Sequence, residues 1–146
     1  MSELLAIIIS HMQTSSESGP VSPLQPGQIR LLVVEDHRDT TRMLYLLLVG
    51  LGYAVKTARD AATALKLASQ ESFDMLISDI GLPDETGYEL MKQIRERHPM
   101  KGIAVTAYGT EEDVRKSRDA GFSEHLLKPV ELSRLHEAIQ RVLALE

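Results

Sequence analysis

The residues able to do chemistry stand at the ends of short apolar runs. Ile29 to Val34 stops at Glu35-Asp36, Phe73 to Ser78 at Asp79, Gly102 to Val105 at Thr106, and Glu124 to Leu127 at Lys128-Pro129. Three carboxylates, a hydroxyl and an ammonium are the parts of a metal- and phosphate-handling site. Two carboxylates ~4–5 Å apart repel by roughly 3–4 kcal/mol at an effective dielectric near 20, so such a cluster calls for a cation. Oxygen donors with open positions suit Mg²⁺, which keeps waters and binds through one or two carboxylates plus a phosphate. A carboxylate facing a phosphoryl donor is a nucleophile. Lys128 can neutralise a phosphoryl oxygen as a point charge, and the Thr106 hydroxyl can hydrogen-bond another.

Each residue also has a plainer reading. An aspartate at a strand end is often a helix N-cap, so Asp79 alone decides nothing. Glu35 can be a solvated partner of a nearby arginine, Thr106 a satisfier of local backbone groups, and Lys128 a surface lysine before a turn. What favours the chemical reading is that four separate runs end this way. In open α/β sheets ligands bind at the C-terminal strand edge, which would bring these residues to one crevice.

The elements that must position them can be read from periodicity. After Glu35-Asp36, Met43, Leu47, Leu48 and Leu51 recur at helical spacing, and Gly50 and Gly52 close the helix. Leu44 to Leu51 therefore reads as core. Tyr53 to Thr57 alternates like a short strand, Ala61 to Ser69 is helical, and Tyr88 to Arg97 places Leu90, Met91 and Ile94 on one face. Thr110-Glu111-Glu112-Asp113 is a capping-box pattern opening a fourth helix that Gly121 ends. Leu132, Leu135, Ile139 and Val142 mark a last amphipathic helix. Five strands alternating with five helices predict α/β architecture: a doubly wound, five-stranded parallel sheet in the flavodoxin-like order 2-1-3-4-5. Gly81, Gly87 and Gly109 read as backbone permissions in loops around the site. His37, His98 and His136 stand singly and suggest no metal site.

The chain has 146 residues, the size of one domain. Its formal net charge of −5 argues against a nucleic-acid surface. With no cysteine, a disulfide framework and a thiolate metal site are both impossible, and a cytoplasmic setting is expected. Leu4 to Ile9 is far shorter than the roughly 20 residues of a membrane span, and no Lys or Arg precedes Arg30 to form a signal peptide. Residues 1–28, of which Thr14 to Gln28 are rich in Ser, Pro and Gly, read as a tail, either an interdomain linker or a cloning remnant around Ser10-His11-Met12. Residues 29–146 read as the folded domain.

The segments VVEDH (33–37), LISDIGLPDETG (76–87), AVTAYG (104–109), AGF (120–122) and HLLKPV (125–130) together resemble the response-regulator receiver family over about residues 29–146. The resemblance implies that Asp79 is the phospho-acceptor. Glu35 and Asp36 would form the acidic pair at the Mg²⁺ site, both counted among its metal residues with Asp36 the more direct ligand, and the Gly81 carbonyl would be a further ligand beside Asp79. Thr106 would be the switch hydroxyl and Lys128 the phosphoryl contact, with a cis Lys128–Pro129 bond. Where the family often carries Tyr or Phe, this chain has His125, which puts the aromatic form of the switch in doubt. Its charge near neutral pH would then modulate the switch.

The expected function is therefore that of a phosphorelay domain rather than an enzyme. The expected phosphodonor is a sensor histidine kinase or histidine phosphotransfer protein. Output would be a protein contact around helix 4, strand 5 and helix 5. No DNA-binding output domain is expected to follow, the domain itself being a monomer or a weak phosphorylation-dependent dimer. It reads either as the C-terminal receiver of a hybrid sensor histidine kinase, tethered to a membrane-bound kinase, or as a stand-alone regulator. A haloacid-dehalogenase-like phosphatase would carry a second aspartate two residues after the nucleophile, and Gly81 stands there instead. A flavodoxin-like cofactor binder would want a phosphate loop where Glu35-Asp36 would repel the phosphate.

Overall fold

A computed structural model describes residues 28–145. The expectations about residues 1–27 lie outside the described residues. In chain order the elements are β1 (Arg30–Val34), α1 (Arg38–Gly50), β2 (Ala54–Ala58), α2 (Ala61–Gln70), β3 (Met75–Ser78), α3 (Gly87–Arg97), β4 (Lys101–Thr106), α4 (Glu111–Ala120), β5 (Glu124–Leu127) and α5 (Leu132–Leu143). The five strands are parallel and ordered β2-β1-β3-β4-β5, the flavodoxin-like order expected from the alternation. Among the described residues no helix is long and apolar enough to cross a membrane.

Strands buried on both faces read as continuous apolar runs, and β1 shows why. Leu31 and Val33 point into a core closed by α1 and α5, where Leu48, Leu135, Ile139 and Val142 meet them. Leu32 and Val34 point the other way, into a core built with Ala61, Ala64, Leu90 and Ile94 of α2 and α3. The alanines of α2 let that helix lie close to the sheet. Leu47 and Leu132 join α1 to α5, with Met43 and Leu51 against them. The Leu-rich stripe of α1 is thus mostly core, although Leu46 is exposed.

Most boundaries shift by a residue or two from the pattern. Tyr53 precedes β2 instead of opening it. Its side chain is buried and its hydroxyl lies 3.0 Å from Nδ1 of His136, so His136 is a partner in α5 rather than a solitary surface side chain. β3 starts at Met75 because Phe73 and Asp74 are still connection: the Asp74 N–H donates to Arg30 O while the Arg30 N–H donates to Asp74 Oδ2. The capping box of α4 forms as its pattern predicts, and Gly121 ends that helix at φ 114°. Among the described residues only Gly52 and Gly121 adopt positive φ, so the reading of Gly81, Gly87 and Gly109 as conformational permissions is corrected. Gly87 opens α3, and its need is steric: a Cβ there would sit 2.3 Å from the Asp79 carbonyl oxygen.

Candidate phosphoryl-transfer site

The sheet ladder runs one rung past the strands and carries the site with it. Beyond the Val34–Ser78 and Thr106–Leu127 pairs, the Glu35 N–H donates to Ala58 O, the Asp79 N–H to Val34 O and the Lys128 N–H to Thr106 O, at 3.0, 2.9 and 2.9 Å. Glu35, Asp79 and Lys128 are therefore fixed by backbone register. Lys128 Nζ lies 2.6 Å from Glu35 Oε1 and 2.9 Å from Asp79 Oδ2, bridging two buried carboxylates. The other Glu35 oxygen accepts the His37 N–H at 3.0 Å and stands 3.1 Å from His37 Nδ1. The Thr41 hydroxyl reaches the carbonyls of Glu35 and His37, tying the first turn of α1 to the end of β1.

Burial and bonding compete at these groups. Burial pushes the Glu35 carboxyl up, but the His37 N–H, the Lys128 ammonium and the His37 ring outweigh it and hold the group below its ordinary value. Burial pulls Lys128 down, and its bonds to Glu35 and Asp79 outweigh that and hold it above its ordinary value. Both partners thus stay charged across the neutral range. A cavity of about 260 Å³ opens beside them, with Leu44, Ile77, Val105 and Val130 in its wall.

The oxygens available to a cation follow from this bonding. Both Glu35 oxygens are engaged within the protein, and among the described residues no three His, Cys, Asp or Glu side chains are grouped as a metal site. Asp79 shares Oδ2 with Lys128 and Oδ1 with the Gly81 N–H, and Asp36 is half-buried on a separate open cavity with Asp60 and Thr63. Were Asp36, Asp79 and the Gly81 carbonyl to converge on one cation, two carboxylates and a carbonyl with waters would be chemistry that suits Mg²⁺. The Gly81 N–H donates to Asp79 Oδ1 at 3.2 Å, holding that peptide beside the acid.

Thr106 is fully buried, and its Oγ1 accepts the Tyr108 N–H at 3.2 Å. Tyr108 offers its carbonyl to His125, whose Nε2 lies 2.7 Å away, while His125 Nδ1 lies 2.6 Å from the Ser117 hydroxyl. A carbonyl only accepts, so Nε2 carries a proton. A path thus runs from Thr106 through the Tyr108 backbone, by way of its N–H and its carbonyl in successive peptides, to His125 and α4. The Lys128–Pro129 bond is cis.

The fold therefore brings Glu35, Asp79 and Lys128 into contact and places Thr106, Asp36 and Gly81 on the same edge. Sequence reasoning missed Ser117 and the Tyr108 carbonyl. Ser117 carries no spacing signal relative to His125, and a carbonyl acceptor has none at all.

This topology and this set of strand ends have known counterparts. The chain belongs to the response regulator receiver domain family, whose pattern matches residues 31–140. It is 34% identical over 117 residues to the response regulator protein PilR of Pseudomonas aeruginosa, covering 80% of this chain and 26% of that protein. It is 34% identical over 110 residues to the sensor histidine kinase RcsC of Escherichia coli, covering 75% of this chain and 12% of that one. The chain thus spans about a quarter or less of these two relatives. A crystal structure of a CheY-like receiver domain protein from Methanospirillum hungatei superposes with a TM-score of 0.76 at 33% identity, covering 80% of this chain and 94% of that one. A receiver domain is a signalling module of two-component systems rather than an enzyme.

Proposed function

We propose that residues 29–146 act as a phosphorylation switch, with Asp79 accepting a phosphoryl group from a phosphohistidine of a sensor histidine kinase or histidine phosphotransfer protein. The observation that carries this reading is the bridge from Lys128 to both Glu35 and Asp79 at the end of the sheet. In transfer, Asp79 Oδ attacks phosphorus and the bond to the donor nitrogen breaks, leaving an acyl phosphate on Asp79. Asp36, Asp79 and the Gly81 carbonyl would hold Mg²⁺, which when bound neutralises charge on the transferring group. Glu35 holds Lys128 in place, and Lys128 is positioned to meet a phosphoryl oxygen.

The output half follows from the bonds around Thr106. If its hydroxyl turns to a phosphoryl oxygen, it gives up the Tyr108 N–H, and the Tyr108 backbone is the link to His125 and α4. Tyr108 and Leu127 are large apolar side chains more than half exposed beside that link, and they supply a contact surface for a protein partner. His125 thus joins Thr106 to α4 through backbone, where an aromatic ring would do so by changing rotamer.

The test is incubation with acetyl phosphate, with and without Mg²⁺, followed by intact mass. One phosphoryl group is expected only with Mg²⁺, and none on Asp79→Asn. Labelling that survives Asp79→Asn would sink the assignment, and labelling indifferent to Mg²⁺ would sink the metal reading.

A further inference from the structure

The β3–α3 connection is a closed loop with the site at its base. At that base the Gly87 N–H donates to Ile80 O at 2.8 Å, the Leu82 N–H donates to the same oxygen at 3.1 Å, and Gly81 and Thr86 form an antiparallel bridge. The far end carries Asp84, whose side chain reaches out of the loop, although its Oδ1 also accepts the Glu85 N–H at 3.0 Å within it. Its Oδ1 accepts the Ala61 N–H and its Oδ2 the Ala62 N–H, both at 2.9 Å, across separations of 23 and 22 residues.

A helix begins with four N–H groups that have no partner inside it. In α2 three of them, those of Ala61, Ala62 and Thr63, go to two aspartates. Asp60 takes the Thr63 N–H on its side chain at 2.7 Å, while the Ala64 N–H on its carbonyl at 3.2 Å is the first bond of the helix itself. Asp84 takes the other two. The local cap is therefore incomplete, and its remainder is also the attachment of a loop. A surface loop without such an anchor opens at little cost. Here a charged acceptor on two amides at a helix N-terminus supplies the anchor.

We propose that Asp84 is a positioning residue for the phosphorylation site. By clamping the β3–α3 loop onto α2, it fixes the Gly81 peptide beside Asp79 and so preorganises the oxygen set for Mg²⁺. This rests on the function proposed above. Asp84 touches no reacting atom. It acts through a loop pinned at Ile80–Gly87 on one side and at Ala61–Ala62 on the other.

Asp60 provides the control. Asp60→Ala removes one carboxylate from the same helix end, yet the Asp60 side chain bonds only within α2. The full chain, isotopically labelled, is titrated with Mg²⁺ while the Asp79 and Gly81 amide signals are followed, and hydrogen exchange is read at Ala61 and Ala62. Asp84→Ala is expected to weaken Mg²⁺ binding about tenfold, in the manner of lost supporting bonds at metal sites, with faster exchange at both alanines. Asp84→Asn, which keeps a carbonyl acceptor, should fall between it and wild type, and carries the test if the alanine variant does not fold. Asp60→Ala deletes a carboxylate from the cavity that Asp36 lines but leaves the loop anchored, so it should lose clearly less Mg²⁺ affinity than Asp84→Ala. Unchanged affinity in both Asp84 variants, or an equal loss in Asp60→Ala, would overturn the proposal. If wild type takes no phosphoryl group from acetyl phosphate, the function fails instead, whatever the affinities show.

Discussion

Lys128→Met keeps the side-chain stem and deletes the charge, which isolates the bridge. The two legs of that bridge, 2.6 and 2.9 Å, cap the separation of the Glu35 and Asp79 oxygens at about 5.5 Å. At that distance two unit charges repel by about 3 kcal/mol at an effective dielectric near 20. Water relieves little of this, since Glu35 is 2% and Asp79 9% exposed. Loss of one partner from a buried ion pair costs a similar ~3–5 kcal/mol. For a domain of this size, ~3 kcal/mol corresponds to a fall of roughly 10–15 °C in Tm.

The pH dependence separates this cause from simple loss of packing. In the wild type, Glu35 titrates below its ordinary value, so its contribution is present above that value and is lost as pH falls through the folded pKa. Lys128 titrates above its ordinary value, so its contribution is present below that value and is lost only as pH rises through the folded pKa. The bridge is therefore constant across the neutral range. Without Lys128 the repulsion raises one carboxyl above its ordinary value, and the variant regains stability as that group takes up a proton. Urea melts from about pH 5 to about pH 8 should show the deficit largest at the alkaline end and shrinking toward the acid end. Mg²⁺ should raise the variant's midpoint more than the wild type's. A deficit of the same size at both ends of the range would refute the argument.

Two glycines of the site loop should behave oppositely. A Cβ on Gly87 would meet the Asp79 carbonyl oxygen at 2.3 Å and Ile80 Cα at 2.9 Å, both backbone atoms that cannot step aside. Gly87→Ala should cost about 1–3 kcal/mol in urea melts. Gly81→Ala meets nothing within 4 Å and should stay within about 0.5 kcal/mol of wild type. His125→Phe removes the holds on Tyr108 O and on Ser117, which should cost about 1–2 kcal/mol and speed amide exchange over residues 107–110. It should also alter partner binding by the phosphorylated chain. If that binding is unchanged, His125 is packing only.

Strand ends were the legible part of this molecule. Burial on both faces forces apolar runs, so the residue that stops each run is conspicuous, and parallel order then places those residues on one edge. The Thr110–Asp113 box was legible because capping is local. Asp84 was not, because loop chemistry and helix capping draw on the same residue types and its partners lie 22 and 23 residues away. Gly87 was misread for a related reason: a glycine required by close approach looks, in sequence, like one required by a turn. The His125 connections were hidden because one runs to a helix and the other to a carbonyl that every residue possesses.

The charges at the site bear on why a hydroxyl stands at the end of β4. Glu35, Asp36 and Asp79 against Lys128 leave two formal negative charges, the charge that one divalent cation would balance if the proposed Mg²⁺ binds. A second ammonium in place of Thr106 would lower that residual charge and weaken the pull on the cation. It would also have to be buried, since Thr106 is 0% exposed, at the desolvation cost of a cation. A hydroxyl donates a hydrogen bond without changing the sum. It also remains free to exchange partners, because its bond to the Tyr108 N–H is a neutral one at 3.2 Å, weaker than the charged bonds that fix Lys128. The two residues thus differ in how they are held: Lys128 by charged bonds to two carboxylates, and Thr106 by one neutral bond.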